Sequence, residues 1–157
     1  MVSGSKKKVL VAGATGYIGK AVVAELLDRD YIVFAIVRKE NQLEYSDQRN
    51  LNVIPLEIGK NSGWTKQLPR IDIIISCLAS RSGCERDANF VDYSLNSDLL
   101  YFALKIKLQH FILLSAICIQ KPKLAFQRAK LRFNSELVAS GLKYSIVLPT
   151  AFFKSLS

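Results

Sequence analysis

Between Lys8 and Arg29 the chain reads as a short β-branched strand, a loop with glycine at positions 13, 16 and 19, and an amphipathic helix. Few folds accept that order. Lys8-Val9-Leu10-Val11-Ala12 has the composition of a buried strand, and from Tyr17 to Arg29 the apolar Val22, Val23, Leu26 and Leu27 fall on one helical face. In such a strand–loop–helix unit each glycine has its own task. Gly13 permits the tight turn, Gly16 lets a pyrophosphate approach the backbone, and Gly19 lets the helix lie close to the strand. The helix N-terminus then offers N–H groups and a partial positive charge to phosphate oxygens. Thr15, Tyr17 and Ile18 belong to the same expected cradle. A βα turn that merely uses glycines is the plainer alternative, but all three in register after a strand point to a dinucleotide.

The alternation continues to the end of the chain. Strands are expected at Tyr31 to Val37, Val53 to Ile58, Ile71 to Leu78, His110 to Ser115 and Tyr144 to Leu148. Helices are expected from Phe90 to Ile106 and from Lys123 to Ser140. In the latter, Leu124, Leu131 and Val138 recur every seven residues, as do Phe126 and Phe133, and Gly141 supplies the stop. Ile71 to Leu78 is nearly all apolar, as in a strand covered on both faces. Alternating strands and helices predict an α/β Rossmann fold, a doubly wound parallel sheet of about six strands in the order 3-2-1-4-5-6.

Composition narrows the function classes. At 157 residues, 50% hydrophobic and 22% charged, the chain suits one domain with a real core rather than disorder. Its longest apolar runs stop well short of a membrane span, and residues Met1 to Lys8 lead into a strand rather than a signal-type core. Cys77, Cys84 and Cys118 form no CxxC pair and accompany a single histidine, His110, so no metal site is expected. His110 itself is expected to start a strand, with no partner suggesting catalysis. The odd, sparse cysteine count suits a reducing compartment. The net charge of +9 comes from scattered residues, apart from Lys6 to Lys8 and the stretch from Lys121 to Arg132. No nucleic-acid-binding signature accompanies it, so no nucleic acid is expected as a partner. A basic surface would equally attract a phosphorylated cofactor, an anionic substrate or an acidic membrane surface.

The end of the second strand bears on the cofactor. NAD enzymes usually carry an acidic residue about twenty positions after the glycines, on the ribose 2′-hydroxyl. Here Ile36-Val37-Arg38-Lys39 stands instead, and Arg38 can grip a 2′-phosphate with a fork of donors, which favours NADPH. Glu40, slightly beyond, keeps NADH as the alternative, and a solvated Arg–Lys pair is the plainer one. The GxxGxxG spacing resembles the fingerprint of extended and atypical short-chain dehydrogenase/reductases.

Later segments carry a narrower resemblance. They are Ser76-Cys77-Leu78-Ala79-Ser80-Arg81-Ser82-Gly83, the run from His110 to Pro122, Phe126-Gln127-Arg128-Ala129-Lys130-Leu131, Tyr144-Ser145-Ile146-Val147, and Pro149 to Leu156. In these the chain resembles the NADPH-dependent divinyl chlorophyllide (or protochlorophyllide) 8-vinyl reductases, atypical, NmrA-like members of that superfamily. The resemblance runs over nearly the whole chain from Lys8. It implies NADPH as cofactor, a chlorophyll-precursor tetrapyrrole as substrate, and reduction of the 8-vinyl group to ethyl. It also implies either a photosynthetic bacterial cytoplasm or a plastid. Members are about twice this length, so residues 1–157 correspond to the NAD(P)-binding domain, without the C-terminal part that lines the pigment pocket.

Ordinary short-chain reductases use a Ser, a Tyr and a Lys four residues after the Tyr. Here Ser115 ends the fifth strand, Phe126 stands at the Tyr position, and Lys130 follows it on the same helix face. Phe126 has no proton to give, so the usual carbonyl reduction is not expected. Hydride addition to a conjugated vinyl group is compatible with it, and Phe126 can pack against a flat ring. Lys130 is assigned to the nicotinamide ribose and Ser115 to the nicotinamide pocket. The alternative makes Phe126 part of the core stripe and Lys130 a solvated charge. Glu57, Cys77, Leu78, Ala79 and Pro149, at the carboxyl ends of later strands, are the remaining expected cofactor contacts. An NADPH-binding sensor or interaction protein without catalysis is the competing function.

Overall fold

The computed structural model describes residues 5–37, 48–55 and 64–150. Arg38, Glu40 and Glu57 lie outside the described residues. Six parallel strands form one sheet in the order β3-β2-β1-β4-β5-β6, as the sequence predicts. They are β1 (Lys8–Ala12), β2 (Ile32–Val37), β3 (Leu51–Pro55), β4 (Ile73–Ser76), β5 (His110–Leu114) and β6 (Tyr144–Val147). The third strand thus begins two residues before the expected Val53, residues 56–58 of that expectation lying outside the described residues, and the fourth is the central half of Ile71 to Leu78.

Side chains alternate across the sheet with period two. Leu10, Ala12, Phe34, Ile36, Ile74, Phe111 and Leu113 point to one face, where they pack with Leu99, Ala103, Phe133 and Leu137. Val9, Val11, Val33, Ala35 and Val37 point to the other, against Val23 of helix α1 (Tyr17–Asp28), with Val22, Leu26 and Leu27 half-buried beside it.

One helical expectation needs correction. The helix expected to start at Phe90 starts at Glu85, as α2 (Glu85–Ala88), passes through a π-helical stretch over Asn89–Ser94, and continues as α3 (Leu95–Lys105). Its first turn is polar and carries no apolar period. Cys84 caps it, with Sγ accepting from the Asp87 N–H at 3.4 Å, and Glu85 and Asp87 complement the positive end of the helix.

The structure also decides which face of α4 (Ala125–Ala139) is buried. Leu124 and Val138 are 56% and 52% exposed, while Ala129, Lys130, Phe133 and Leu137 are buried. Two residues advance a helix by about 200°, so the Leu124–Leu131–Val138 row and the Phe126–Phe133 row lie on nearly opposite faces. Only one of them can meet the sheet, and it is the phenylalanine row. Phe133 packs on Phe111 with ring centroids 6.1 Å apart.

Candidate functional site

At the carboxyl edge of β1 the chain turns at Gly13, whose φ is 76°. A Cβ there would stand 2.6 Å from the Cys77 carbonyl oxygen, and one at Gly19 would stand 2.0 Å from the Gly13 carbonyl oxygen. The first contact brings the residues after β4 against the loop, where the Cys77 N–H also donates to the Ala12 carbonyl at 2.8 Å. The second lets α1 start directly above the strand. Gly16 is the N-cap of α1; no side chain caps that end and no acidic residue stands in its first turn. An α-helix leaves its first N–H groups without intrahelical acceptors. A cradle too tight for Cβ atoms, open to the positive end of a twelve-residue helix, fits a pyrophosphate. Thr15 and Ile18 are half-buried around it and Tyr17 is exposed at its rim. Cys77 is buried, Leu78 half-buried and Ala79 exposed along the adjoining groove. Burial pushes the Cys77 thiol up to about 11, against the opposing charge of Lys130.

Farther along the same edge, Ser115 follows β5 and Lys130 reaches in from α4. Lys130 is not a solvated charge, being only 7% exposed. Its Nζ lies 3.1 Å from Asp92 Oδ1 and donates to the Leu78 and Leu114 carbonyls at 3.2 and 3.4 Å. One ammonium thus ties the ends of β4 and β5 to the π-helical stretch. Asp92, 1% exposed, is oriented by that stretch, and its carbonyl accepts from Asn96 Nδ2 at 3.1 Å. Asn96 Oδ1 in turn accepts from Ser76 Oγ at 2.6 Å. Ser115 is buried and donates to Asn134 Oδ1 at 3.1 Å. Phe126, one turn before Lys130, is half-buried. The Pro149 carbonyl accepts from the Ile117 N–H at 3.1 Å, holding the end of β6 beside the loop after β5.

The structure therefore brings the glycine loop together with Cys77 and Leu78, and Lys130 together with the ends of β4 and β5. Sequence reasoning missed Asp92, Asn96 and Asn134. A signal was present: Asp92 and Asn96, and likewise Lys130 and Asn134, are polar pairs four residues apart on helices, each directly preceded by an apolar residue. His110 Nε2 lies 2.9 Å from Ser145 Oγ, at the opposite end of β5 from this site. Among the described residues, no group of three or more His, Cys, Asp or Glu could hold a metal ion, and no helix is long and apolar enough to cross a membrane.

Sheet order, glycine cradle and buried lysine together define a Rossmann-type domain for a nicotinamide dinucleotide. The chain belongs to the NAD(P)H-binding family, whose sequence pattern matches residues 13–155. It is 42% identical over 172 residues to the chloroplastic divinyl chlorophyllide a 8-vinyl-reductase of Arabidopsis thaliana, an alignment covering 94% of this chain and 40% of that protein. The chain thus spans about two-fifths of the length of that relative. It is 28% identical to the photosystem II assembly factor Ycf39 of Cyanophora paradoxa, over 94% of this chain and 46% of that one. Among solved structures, the oxidoreductase ylbE of Lactococcus lactis superposes with a TM-score of 0.78 at 26% identity, covering 92% of this chain and 69% of that chain.

Proposed function

We propose that this chain is the cofactor-binding part of an NADPH-dependent reductase that converts the 8-vinyl group of a divinyl chlorophyllide or protochlorophyllide to ethyl. The observation that carries the reading is the 42% identity to the Arabidopsis reductase over 94% of the chain. In this reading Gly13, Thr15, Gly16, Tyr17, Ile18 and Gly19 hold the pyrophosphate and Arg38 the 2′-phosphate. Glu57, Cys77, Leu78, Ala79 and Pro149 line the rest of the cofactor groove. NADPH supplies the hydride when bound. Lys130 holds the nicotinamide ribose, Ser115 lines the nicotinamide pocket, and Phe126 offers a flat apolar surface to the pigment ring. The ammonium of Lys130 already faces a carboxylate, and Phe126 carries no hydroxyl for it to activate. The second hydrogen of the new ethyl group is therefore assigned to a proton from water or another acid. Names of the relatives support a plastid or a photosynthetic prokaryote as the setting.

The test is conversion of divinyl chlorophyllide a to the monovinyl pigment with NADPH, by the 157-residue chain and by the same chain joined to the C-terminal remainder of the Arabidopsis reductase. The joined protein is expected to turn over. Its failure, with NADPH bound, would leave the second reading: a dinucleotide-binding assembly or sensor protein, which the similarity to Ycf39 favours. On the cofactor, Arg38→Ala is expected to weaken NADPH more than NADH by about 1–3 kcal/mol, for a lost charged hydrogen bond.

A further inference from the structure

Of the basic stretch from Lys121 to Arg132, the dinucleotide site uses Lys130; Lys121 and Lys123 instead sit on a cavity. The loop between β5 and α4, with the first turn of α4, walls a space of about 660 Å³ lined by Cys118, Gln120, Lys121, Lys123, Leu124 and Gln127. That volume lies within the range of small-molecule sites. Its walls are chiefly apolar. Leu124 stands 56% exposed there, an apolar side chain at the N-terminal end of α4 that no core claims. The loop's shape is held from within. Gln127 Oε1 accepts from the N–H groups of Lys123 and Leu124 at 2.9 and 3.0 Å, and Cys118 takes a φ of 63°. No ion pair involves the side chain of Lys121 or Lys123 among the described residues. The cavity is built from the loop that leaves the carboxyl end of β5 after Ser115 and from the first turn of α4, which places it at the same edge of the sheet as Ser115.

An apolar wall with two uncommitted ammonium groups suits a flat, hydrophobic ligand that carries a carboxylate. We infer that this cavity is a carboxylate-reading subsite, with Lys121 and Lys123 binding the free acid of the tetrapyrrole while Leu124 and the lysine stems cover the ring edge. The inference rests on the pigment-reductase reading, and it names the group that distinguishes a chlorophyllide from its ester. Lysine suits the task as a flexible point charge rather than a bidentate clamp.

Fluorescence titrations would compare chlorophyllide a with its methyl ester, and pyrene-1-butyrate with its methyl ester, on the native chain and on Lys121→Ala/Lys123→Ala. The native chain is expected to prefer each acid about tenfold over its ester, the preference shrinking with added salt. The double variant should lose that preference while keeping its ester affinity and its NADPH affinity, and Lys121→Arg/Lys123→Arg should restore it. If chlorophyllide and its ester bind the native chain equally, the subsite is overturned while the pigment reading stands. A lysine-dependent preference for pyrene-1-butyrate with no pigment binding keeps the subsite and removes the pigment. Equal binding of acid and ester in both pairs, or a preference that survives in the double variant, overturns the inference outright.

Discussion

At Gly19 helix and strand approach so closely that a methyl group would meet the Gly13 carbonyl at 2.0 Å. Gly19→Ala is therefore expected to push α1 off β1, lowering stability by about 1–3 kcal/mol as overpacking does and abolishing NADPH binding in a fluorescence titration. The Lys130–Asp92 pair is a different kind of constraint, two charges almost wholly removed from water. Removing one partner leaves the other buried and unpaired, so Asp92→Asn should cost about 3–5 kcal/mol in urea unfolding. The double change Asp92→Asn/Lys130→Met should cost less than the single one, because no charge is stranded. If Lys130 holds the nicotinamide ribose, Asp92→Asn weakens NADPH but leaves adenosine 2′,5′-bisphosphate, which lacks that ribose, unchanged. The thiols divide in the same way. Burial holds Cys77 well above the usual thiol range, while the hydrogen bond from Ser82 draws the exposed Cys84 downward. Only the thiolate reacts. Iodoacetamide at pH 8 is expected to modify Cys84 long before Cys77, as read by peptide mass spectrometry. Since folding raises Cys77, its burial favours the native state fully below about pH 9 and progressively less as pH rises toward about 11.

Among the elements, α4 shows that periodicity can establish a helix without deciding which of its faces is buried. Its existence and its length followed from periodicity and from Gly141, but two apolar rows competed for the sheet. Phe133 meets Phe111 while Val138 faces water. Phe133→Ala is expected to cost about 3–5 kcal/mol, and Val138→Ala no more than about 0.5 kcal/mol, in parallel denaturant titrations. Comparable losses at both positions would mean that the two rows share the burial. The start of α2 was illegible for another reason. Its opening turn is secured by a cysteine cap and acidic residues, which look like loop composition until the turn is seen to close. The π-helical stretch had no sequence signature either. It adds a residue to one turn, and the buried Asp92 lies within it.

For the whole molecule, the dinucleotide is expected to act as a stabilising ligand. NADPH at a hundred times its dissociation constant should add about 2.7 kcal/mol to the folding free energy. That is measured as a rise in thermal midpoint that the same concentration of NADH does not match. The class of fold and the glycine cradle were legible in the sequence because both follow from local rules. Period-two strands, period-3.6 helices and right-handed crossovers leave one sheet order, and three glycines in register permit the close approaches a pyrophosphate needs. Ser115 and Lys130 could be named in advance, but not what they touch. Asp92, Asn96 and Asn134 became visible only when distant segments met: the partner of Lys130 lies 38 positions earlier in the chain, as the numbering shows, and 3.1 Å away in space. A sequence records which residues are polar on an apolar face. Only the packed fold decides which of them are buried together, because a charge enters the interior only where the tertiary structure brings it a partner.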